Sequence, residues 1–182
     1  MHSISHVLWG FSKHAAFAYV VFSLVQHGRG RSPTGRTVAA VLVGAALPDL
    51  VDKSLVAVGL VGYGRSFAHS LVVTAAFVVL VVSLSRRWSH TELGDALCIG
   101  YVSHAPVDLY GPLLTGKSMD TAFLFWPFIV EYPVVTPPPT VGVSRSVLFT
   151  AVVLSALTLW VYDGMPVAAE VVRSFHQTGS RG

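Results

Sequence analysis

Polar and apolar positions divide the chain into five long apolar segments that are joined by short polar stretches. The segments run from about 6 to 25, 37 to 61, 68 to 84, 93 to 114 and 146 to 162. The third and the fifth contain no Asp, Glu, Lys or Arg. Uncharged runs of nearly ~20 residues are typical of helices that cross a lipid bilayer. The pattern therefore predicts an all-α fold, a polytopic membrane helix bundle of about five transmembrane helices.

Prolines mark two irregular places in this pattern. Pro48 interrupts the second segment, and because proline suits the first position of a helix, we allow for a span that is broken there. The stretch FLFWPFIVEYPVVTPPPT, residues 123–140, is aromatic and proline-rich, so we expect it to lie at the membrane interface. Residues 1–162 are predicted to form one transmembrane domain, and residues 163–182 a short polar C-terminal tail.

Composition strengthens the membrane assignment. Charged residues make up 12% of the chain, and the mean hydropathy is +0.64. A soluble globular domain carries about 25% charged residues. The formal net charge is +3, but the basic residues concentrate in short loops, so we expect no nucleic-acid partner. Cys98 is the only cysteine, which excludes an internal disulfide and a cysteine-based zinc site.

The placement of arginine predicts how the bundle is oriented. Two inter-span loops and the tail contain most of the arginines: Arg29, Arg31, Arg36, Arg86, Arg87, Arg173 and Arg181. With five spans these three regions lie on one side of the membrane, and the positive-inside rule makes that side cytoplasmic. We therefore expect a multi-pass protein of the cell membrane with its N-terminus outside.

The polar residues that interrupt the apolar segments converge on the other, extracytoplasmic end. Asp49 follows Arg36 by thirteen residues, or ~20 Å of helix, which places it in the outer leaflet of a ~30 Å hydrocarbon core. The same depth is expected for His6, Asp52, Arg65, His69, His104 and Asp108. Ionisable residues at such a depth are functional by default. The alternative is a surface loop in which Asp49 and Asp52 are simply solvated.

Two motifs pair an acid with a second polar group. In LPDLVDK, Asp49 and Asp52 are i,i+3 neighbours that face the same way, and Lys53 adds a cation beside them. In HAPVD, His104 and Asp108 are four residues apart, so that their side chains meet on one helix face. The second pair can chelate one ion, or it can be a hydrogen-bonded pair that joins two spans.

Two further stretches add histidines and an arginine. In GRSFAHSL, Arg65 suits an anionic group such as a phosphate, and His69 is either a ligand or an interfacial polar residue. Near the N-terminus stand His2, His6 and His14. His6 lies at the predicted membrane boundary and is the favoured ligand, with His2 as the spare.

Four motifs occur in the order SHVLWG, LPDLVD, GRSFAHSL and GYVSHAPVDLYG. In that order they resemble prokaryotic membrane-bound, metal-dependent hydrolases, the YdjM-like inner-membrane hydrolases, over residues 6 to about 128. The resemblance implies a metal site formed by His6, Asp49, Asp52, His69, His104 and Asp108, with Arg65 as the accompanying arginine. Two positions depart from the family pattern. Gly64 stands where many members have a histidine, and Pro106 stands where apolar helix formers are usual, so a reduced ligand set or an altered activity stays open.

Histidine and aspartate ligands suit zinc, manganese or iron, and zinc is the preferred metal. A divalent metal would lower the pKa of its bound water to ~7 and so generate hydroxide. The catalytic candidates are Asp52, Arg65 and Lys53: an aspartate as general base, and a cation that stabilises charge on an oxyanion or phosphoryl group. Which aspartate acts as the base is not decided at this point. A site in the outer leaflet is open to lipids, so we expect a lipid or lipid-linked ester or phosphodiester as the substrate.

Two other function classes fit the same residues. A non-catalytic membrane protein could use a structural metal or buried ion pairs to hold its spans together. An ion or proton transporter would also place acids and histidines within spans. A transporter needs polar groups that continue across the membrane, however, and the third segment, LVVTAAFVVLVVSL, supplies almost none.

Overall fold

A computed structural model describes residues 4–115, 118–129 and 139–179, with side chains described for 12–114, 121–129 and 146–172. These parts of the chain are helical and contain no β-strand. The α-helices are α1 (Ile4–Gly28), α2 (Gly35–Ala57), α3 (Leu71–Arg87), α4 (Thr91–Val102), α5 (His104–Thr115), α6 (Pro139–Tyr162) and α7 (Pro166–Gly179), and a 3₁₀ helix, η1 (Ser118–Phe125), follows α5. The prediction of an all-α fold is confirmed for the described residues.

Helices α2 and α4 form the centre of the bundle because glycine lets their backbones touch. A Cβ atom on Gly44 would overlap the carbonyl oxygen of Leu97, and a Cβ atom on Gly100 would overlap the carbonyl oxygen of Val41. Small residues at helix interfaces are the usual means of close helix packing in membranes. The contact brings the C-terminal half of α2 against the end of α4, where the candidate site lies.

The apolar core continues from this pair to α1 and α6. Its buried members are Ala18, Tyr19 and Phe22 of α1, Val38, Val41 and Ala45 of α2, Ala96 of α4 and Ala156 of α6. The buried positions on α1 are spaced by one turn, as expected for one helix face turned to the core. In contrast, no residue of α3 is buried, so this helix presents most of its apolar surface to its surroundings.

The fourth predicted span is divided into two helices at Ser103. Proline has no backbone N–H, and its ring clashes with the carbonyl group four residues earlier. For Pro106 that residue is Val102, where α4 ends. Pro106 then lies in the first turn of α5, a position that tolerates proline because the N–H group is unpaired there anyway. The break therefore follows from the proline, and His104 begins the new helix.

One predicted feature differs from the structure, and one segment contains a helix that the sequence analysis did not describe. The break allowed for at Pro48 is absent, since α2 is a continuous helix from Gly35 to Ala57 with a fully buried Pro48 inside it. Packing of α2 on α4 at Gly44 and burial of Asp52 after the proline hold both halves in line, although an interior proline costs about 3 kcal/mol. The segment expected as a polar tail forms α7, which begins with Pro166 at a favourable first position.

Within the described residues no helix is by itself long and apolar enough to cross a membrane. Ser146–Tyr162 and Pro166–Val172, which are bent by 42° relative to each other, meet the requirement only as a pair.

Candidate metal centre

The polar side chains that the sequence places at one depth meet in a buried cluster. His14 comes from α1, Asp49 and Asp52 from the end of α2, His69 from the segment before α3, and His104 and Asp108 from the start of α5. All six side chains are buried. Buried ionisable groups need partners, because an isolated charge in an apolar interior is costly. The partners of each group therefore show what the cluster can hold.

Asp52 orients His69. One oxygen, Oδ2, lies 2.7 Å from Nδ1 of His69 and accepts the backbone N–H of Ser66 at 2.7 Å. The other, Oδ1, accepts the backbone N–H of Ala68 at 2.8 Å. A carboxylate in this position keeps the proton of the imidazole on Nδ1, so that Nε2 of His69 carries a lone pair.

His104 is oriented in the same way by a different acceptor. Its Nδ1 lies 2.7 Å from the carbonyl oxygen of Ala45, and a carbonyl oxygen can only accept a hydrogen bond. Nδ1 must therefore carry the proton, and Nε2 of the neutral ring is a lone-pair donor. When both rings are neutral, the second ring nitrogen of each histidine is thus directed inward with its lone pair available.

The two Nε2 atoms and one carboxylate oxygen converge. The Nε2 atoms of His69 and His104 lie 3.1 Å apart, and Oδ2 of Asp108 lies 3.3 Å from the first and 3.4 Å from the second. This oxygen is buried and accepts no hydrogen bond from the described residues. In a tetrahedral zinc site with bonds of about 2.0–2.1 Å, ligand atoms lie about 3.3 Å apart. The triangle therefore has the size of one face of such a site, and with both rings neutral three electron-pair donors meet there.

Two cationic side chains form ion pairs with carboxylates of the cluster. Nη2 of Arg65 lies 2.8 Å from Oδ1 of Asp108, and Nζ of Lys53 lies 3.0 Å from Oδ2 of Asp49. About half of each cationic side chain is exposed, whereas the carboxylates are buried. Arg65 and Lys53 therefore stand between the buried donors and the outside. Oδ1 of Asp49 is 3.9 Å from Nε2 of His69, a little beyond the triangle.

His14 belongs to the cluster as well. Its ring stacks on that of His104 with the centroids 3.7 Å apart, and its Nε2 lies 3.7 Å from Oδ1 of Asp108. Its Nδ1 is buried and has no hydrogen-bond partner among the described residues. Two groups of three have the spacing of metal ligands: His14, His104 and Asp108 in one, and Asp49, His69 and His104 in the other.

The predicted residues are distributed unevenly around this centre. His69, His104 and Asp108 meet directly, and Asp49 lies beside them. Asp52, predicted as a metal ligand and catalytic residue, faces the opposite edge of His69, with both oxygens already used by three donors. The side chain of His6 and the whole of His2 lie outside the described residues.

Depth along the first helix is the signal that would have found His14. It lies eight residues after His6, which is about 12 Å deeper along a helix. Asp49 and His104 were expected below the membrane boundary, whereas His6 was expected at the boundary itself. Matching the depths of the groups would therefore have favoured His14.

Aromatic side chains cover the cluster next to the two cations. The ring of Phe123, in η1, meets the ring of His69 edge-on with the centroids 6.0 Å apart. Trp126 packs edge-on against Phe67 with the ring centroids 5.3 Å apart, and Phe67 lies two residues before His69 in the sequence. Around them apolar side chains are exposed, among them Leu113 (72% exposed) and Phe128 (82%). The cluster is therefore bordered by two half-exposed cations, and we call the exposed apolar side chains of Leu113, Phe125 and Phe128 the apolar rim.

Comparison with known proteins identifies the family. The profile of a family described as YdjM inner membrane protein matches residues 8–175, most of the chain. Neither a curated protein nor a solved structure matches. The chain belongs to the YdjM inner membrane protein family, which confirms the resemblance drawn from the four motifs.

Proposed function

We propose that this member of the YdjM inner membrane protein family is a membrane-embedded, metal-dependent hydrolase. The observation that carries the proposal is the convergence of Nε2 of His69, Nε2 of His104 and the unpartnered Oδ2 of Asp108. Hydrogen bonds at the far edges of both rings hold the lone pairs inward. Such outer partners are typical of histidines that bind metals.

The membrane placement joins the predicted spans to the observed helices. α1, α2, α3, the broken pair α4–α5, and α6 serve as five passes. Exposed apolar side chains support contact with lipid, for example Val79 and Leu80 on α3 and Leu154 and Leu157 on α6. The arginine-rich end then faces the cytoplasm, and the metal centre lies on the extracytoplasmic side.

His69, His104 and Asp108 would hold a divalent cation, with zinc preferred and manganese or iron as alternatives. The cation would supply Lewis acidity and activate water at neutral pH. In this arrangement Asp52 is a positioning residue for His69, because both of its oxygens are engaged. Stacking on His104 gives His14 a similar positioning role, and its Nε2 is close enough to Asp108 to be a further ligand.

The remaining polar groups account for the hydrolytic step. Asp49 is the general base, since Oδ1 faces the donor triangle from 3.9 Å and belongs to a carboxylate that is buried beside it. Arg65 and Lys53 bind the anionic part of the substrate and stabilise the charge that develops as the bond breaks. Both side chains already contact carboxylates of the centre and are half-exposed, so an anion entering from outside meets them first.

The apolar rim supports a lipid or lipid-linked ester or phosphodiester as the substrate. The exposed side chains of Leu113, Phe125 and Phe128 lie near the covering aromatic residues, where they would contact acyl chains. The cationic pair would contact the polar head. A water-soluble substrate would not need such a rim, since large apolar surfaces of this kind mark membrane or partner contacts.

Elemental analysis of the detergent-purified protein tests the proposal. Wild type is compared with His69→Ala/His104→Ala and with Asp95→Asn, a control that changes only an exposed ion pair with Arg29 at the other end of the bundle. We expect stoichiometric metal in wild type and in the control and none in the double variant. The same preparations are then assayed on lipid esters and lipid phosphodiesters in mixed micelles with added zinc, manganese or iron.

A second candidate function is a non-catalytic membrane protein whose cluster holds its helices together. It is favoured by the ion pairs of Asp49 with Lys53 and of Asp108 with Arg65, which compensate two of the buried carboxylates without any metal. Bound metal without turnover of any lipid substrate would support a structural metal. No metal in any preparation after reloading would contradict the hydrolase and leave a cluster of polar pairs.

A further inference from the structure

A second candidate binding site lies at the opposite end of the bundle from the metal centre. It is a groove of about 570 Å³ between α2 and α3, with α4 as its floor. Its apolar walls include Ala39, Ala40, Val81, Leu84, Leu93 and Leu97. This volume lies within the range of pockets that bind small ligands, roughly 300–1,000 Å³.

Small side chains create the groove. Both α2 and α3 pack on α4, and Ala39 and Ala40 leave space on the α2 side. On the α3 side a Cβ atom on Gly94 would overlap Oγ of Ser85. Gly94 therefore lets α3 and α4 pack closely at this point. The result is an open, apolar channel along the surface of the bundle rather than an internal cavity.

One cation stands at the mouth of the groove. Arg36 is exposed and forms no ion pair with the described side chains. Its neighbours in the same loop are paired: Arg29 with Asp95 at 3.0 Å and Arg31 with Glu92 at 3.2 Å. Trp88 also lines this end and is 61% exposed, as is typical of aromatic residues at the level of lipid headgroups.

We propose that the groove binds an anionic phospholipid from the leaflet at the arginine-rich end, with an acyl chain along the apolar walls and the phosphate at Arg36. Charge complementarity argues for this occupant, because the walls are apolar apart from Ser85 and His90, and Arg36 at the mouth forms no ion pair with the side chains that the structure describes. Anionic lipids of the cytoplasmic leaflet are attracted by such basic residues. The inference rests on the membrane placement in the proposed function and is independent of the metal and of hydrolysis.

Native mass spectrometry of protein released from nanodiscs tests the groove. The nanodiscs contain phosphatidylglycerol and phosphatidylcholine in equal amounts, and the lipid retained by each protein is identified. Wild type is expected to retain one phosphatidylglycerol with about fivefold preference over phosphatidylcholine. Ala39→Trp fills the groove and should abolish retention, whereas Val43→Trp, at an exposed position outside the lining, should retain lipid as wild type does.

A second pair of variants tests the phosphate contact. Arg36→Gln should still retain one lipid but lose the preference for phosphatidylglycerol, whereas Arg31→Gln should keep it. Equal retention by wild type and Ala39→Trp would overturn the groove assignment. An unchanged preference in Arg36→Gln, or no preference in wild type, would overturn the role of Arg36.

The outcome can be separated from a failure of the proposed function. If the chain is recovered from cells without detergent, the membrane placement and the lipid-binding groove are overturned together. If the chain is embedded but the groove is wrong, metal content will be unaffected while wild type and Ala39→Trp retain lipid equally.

Discussion

Two polar clusters at opposite ends of α1 show how a binding site differs from a structural contact. Near the C-terminal end of α1, both oxygens of the buried Asp163 carboxylate have hydrogen-bond partners. Oδ2 accepts the hydroxyl groups of Tyr19 at 2.6 Å and Ser23 at 2.8 Å, and Oδ1 lies 2.7 Å from Nε2 of His27. These three residues are one turn apart on one face of α1, and they fasten the turn between α6 and α7.

The cluster around His69 and His104 has the opposite composition, with more hydrogen-bond acceptors than donors. Nε2 of His69, Nε2 of His104 and Oδ2 of Asp108 are electron-pair donors that lie within 3.4 Å of one another. The Asp163 cluster brings hydrogen-bond donors to one acceptor, whereas this cluster brings acceptors to one point. The carboxylates of both clusters are buried, so the number of hydrogen-bond donors that reach them distinguishes the clusters. The second cluster alone of these two therefore has the donor atoms that could hold a metal ion.

Removal of one of the three converging side chains around His69 should have the largest effect on metal affinity. His104→Ala takes away one of the three converging atoms, so the metal affinity should fall by more than the roughly 100-fold that loss of an outer partner can cause. Competition with a chromophoric chelator measures the affinity. His90→Ala, which removes an exposed histidine near the other end, is the matched control. Equal affinities in the two variants would contradict the comparison.

Loss of an orienting residue should have an intermediate effect. Asp52→Asn should weaken metal binding by about 10–100-fold, because the neutral amide holds His69 less firmly and brings an NH₂ group towards backbone N–H donors. The same chelator titration checks it. A loss as complete as that of His104→Ala would mean that Asp52 binds the metal directly, as the sequence alone suggested.

The carboxylate of Asp163 should contribute to the stability of the fold and not to metal affinity. Asp163→Asn should leave metal affinity unchanged but lower the midpoint of thermal unfolding by about 5 °C or more, because hydrogen bonds to a charged group are worth about 1.5–3 kcal/mol. Differential scanning fluorimetry in detergent, next to the chelator titration, measures both. A drop in metal affinity without a change in stability would reverse the roles assigned to the two clusters.

The smallest effect is expected for one donor of three. Ser23→Ala should cost about 1 kcal/mol, since Oδ2 of Asp163 still accepts the hydroxyl of Tyr19. The thermal midpoint should move by about 2–4 °C. Ser155→Ala serves as the control, because this exposed hydroxyl bonds only to the carbonyl of Ala151 in its own helix. Equal shifts in the two variants would show that Asp163 does not depend on Ser23.

Several features could be predicted because they depend on local spacing. His104 and Asp108 share a helix face at any crossing angle, since i,i+4 geometry belongs to the helix itself. The boundary between α4 and α5 follows from Pro106 alone, because the missing N–H and the ring clash act within one turn. The common depth of Asp49, His69 and His104 followed from counting residues along apolar segments.

Other features depend on how the helices are rotated and packed. The continuity of α2 through Pro48 is decided by contacts with α4, which local propensity does not contain. Helix α7 was not predicted, because its segment was judged by its polar composition and not by the periodicity of its apolar residues. The pairing of Asp163 with three residues of α1 joins positions more than 130 apart in the chain, and nothing in the local pattern around Asp163 indicates it.

By itself the sequence determined the helical class, the family, the interruption before Pro106 and the end of the bundle at which polar groups collect. Each of these depends on residues within a few turns or on composition. The tertiary structure alone decided that Asp52 lies behind His69, that His14 stacks on His104 and that Oδ2 of Asp108 has no hydrogen-bond donor among the described residues. The physical reason is that a hydrogen-bond partner depends on the rotation and approach of helices distant in sequence, which single-chain spacing does not constrain.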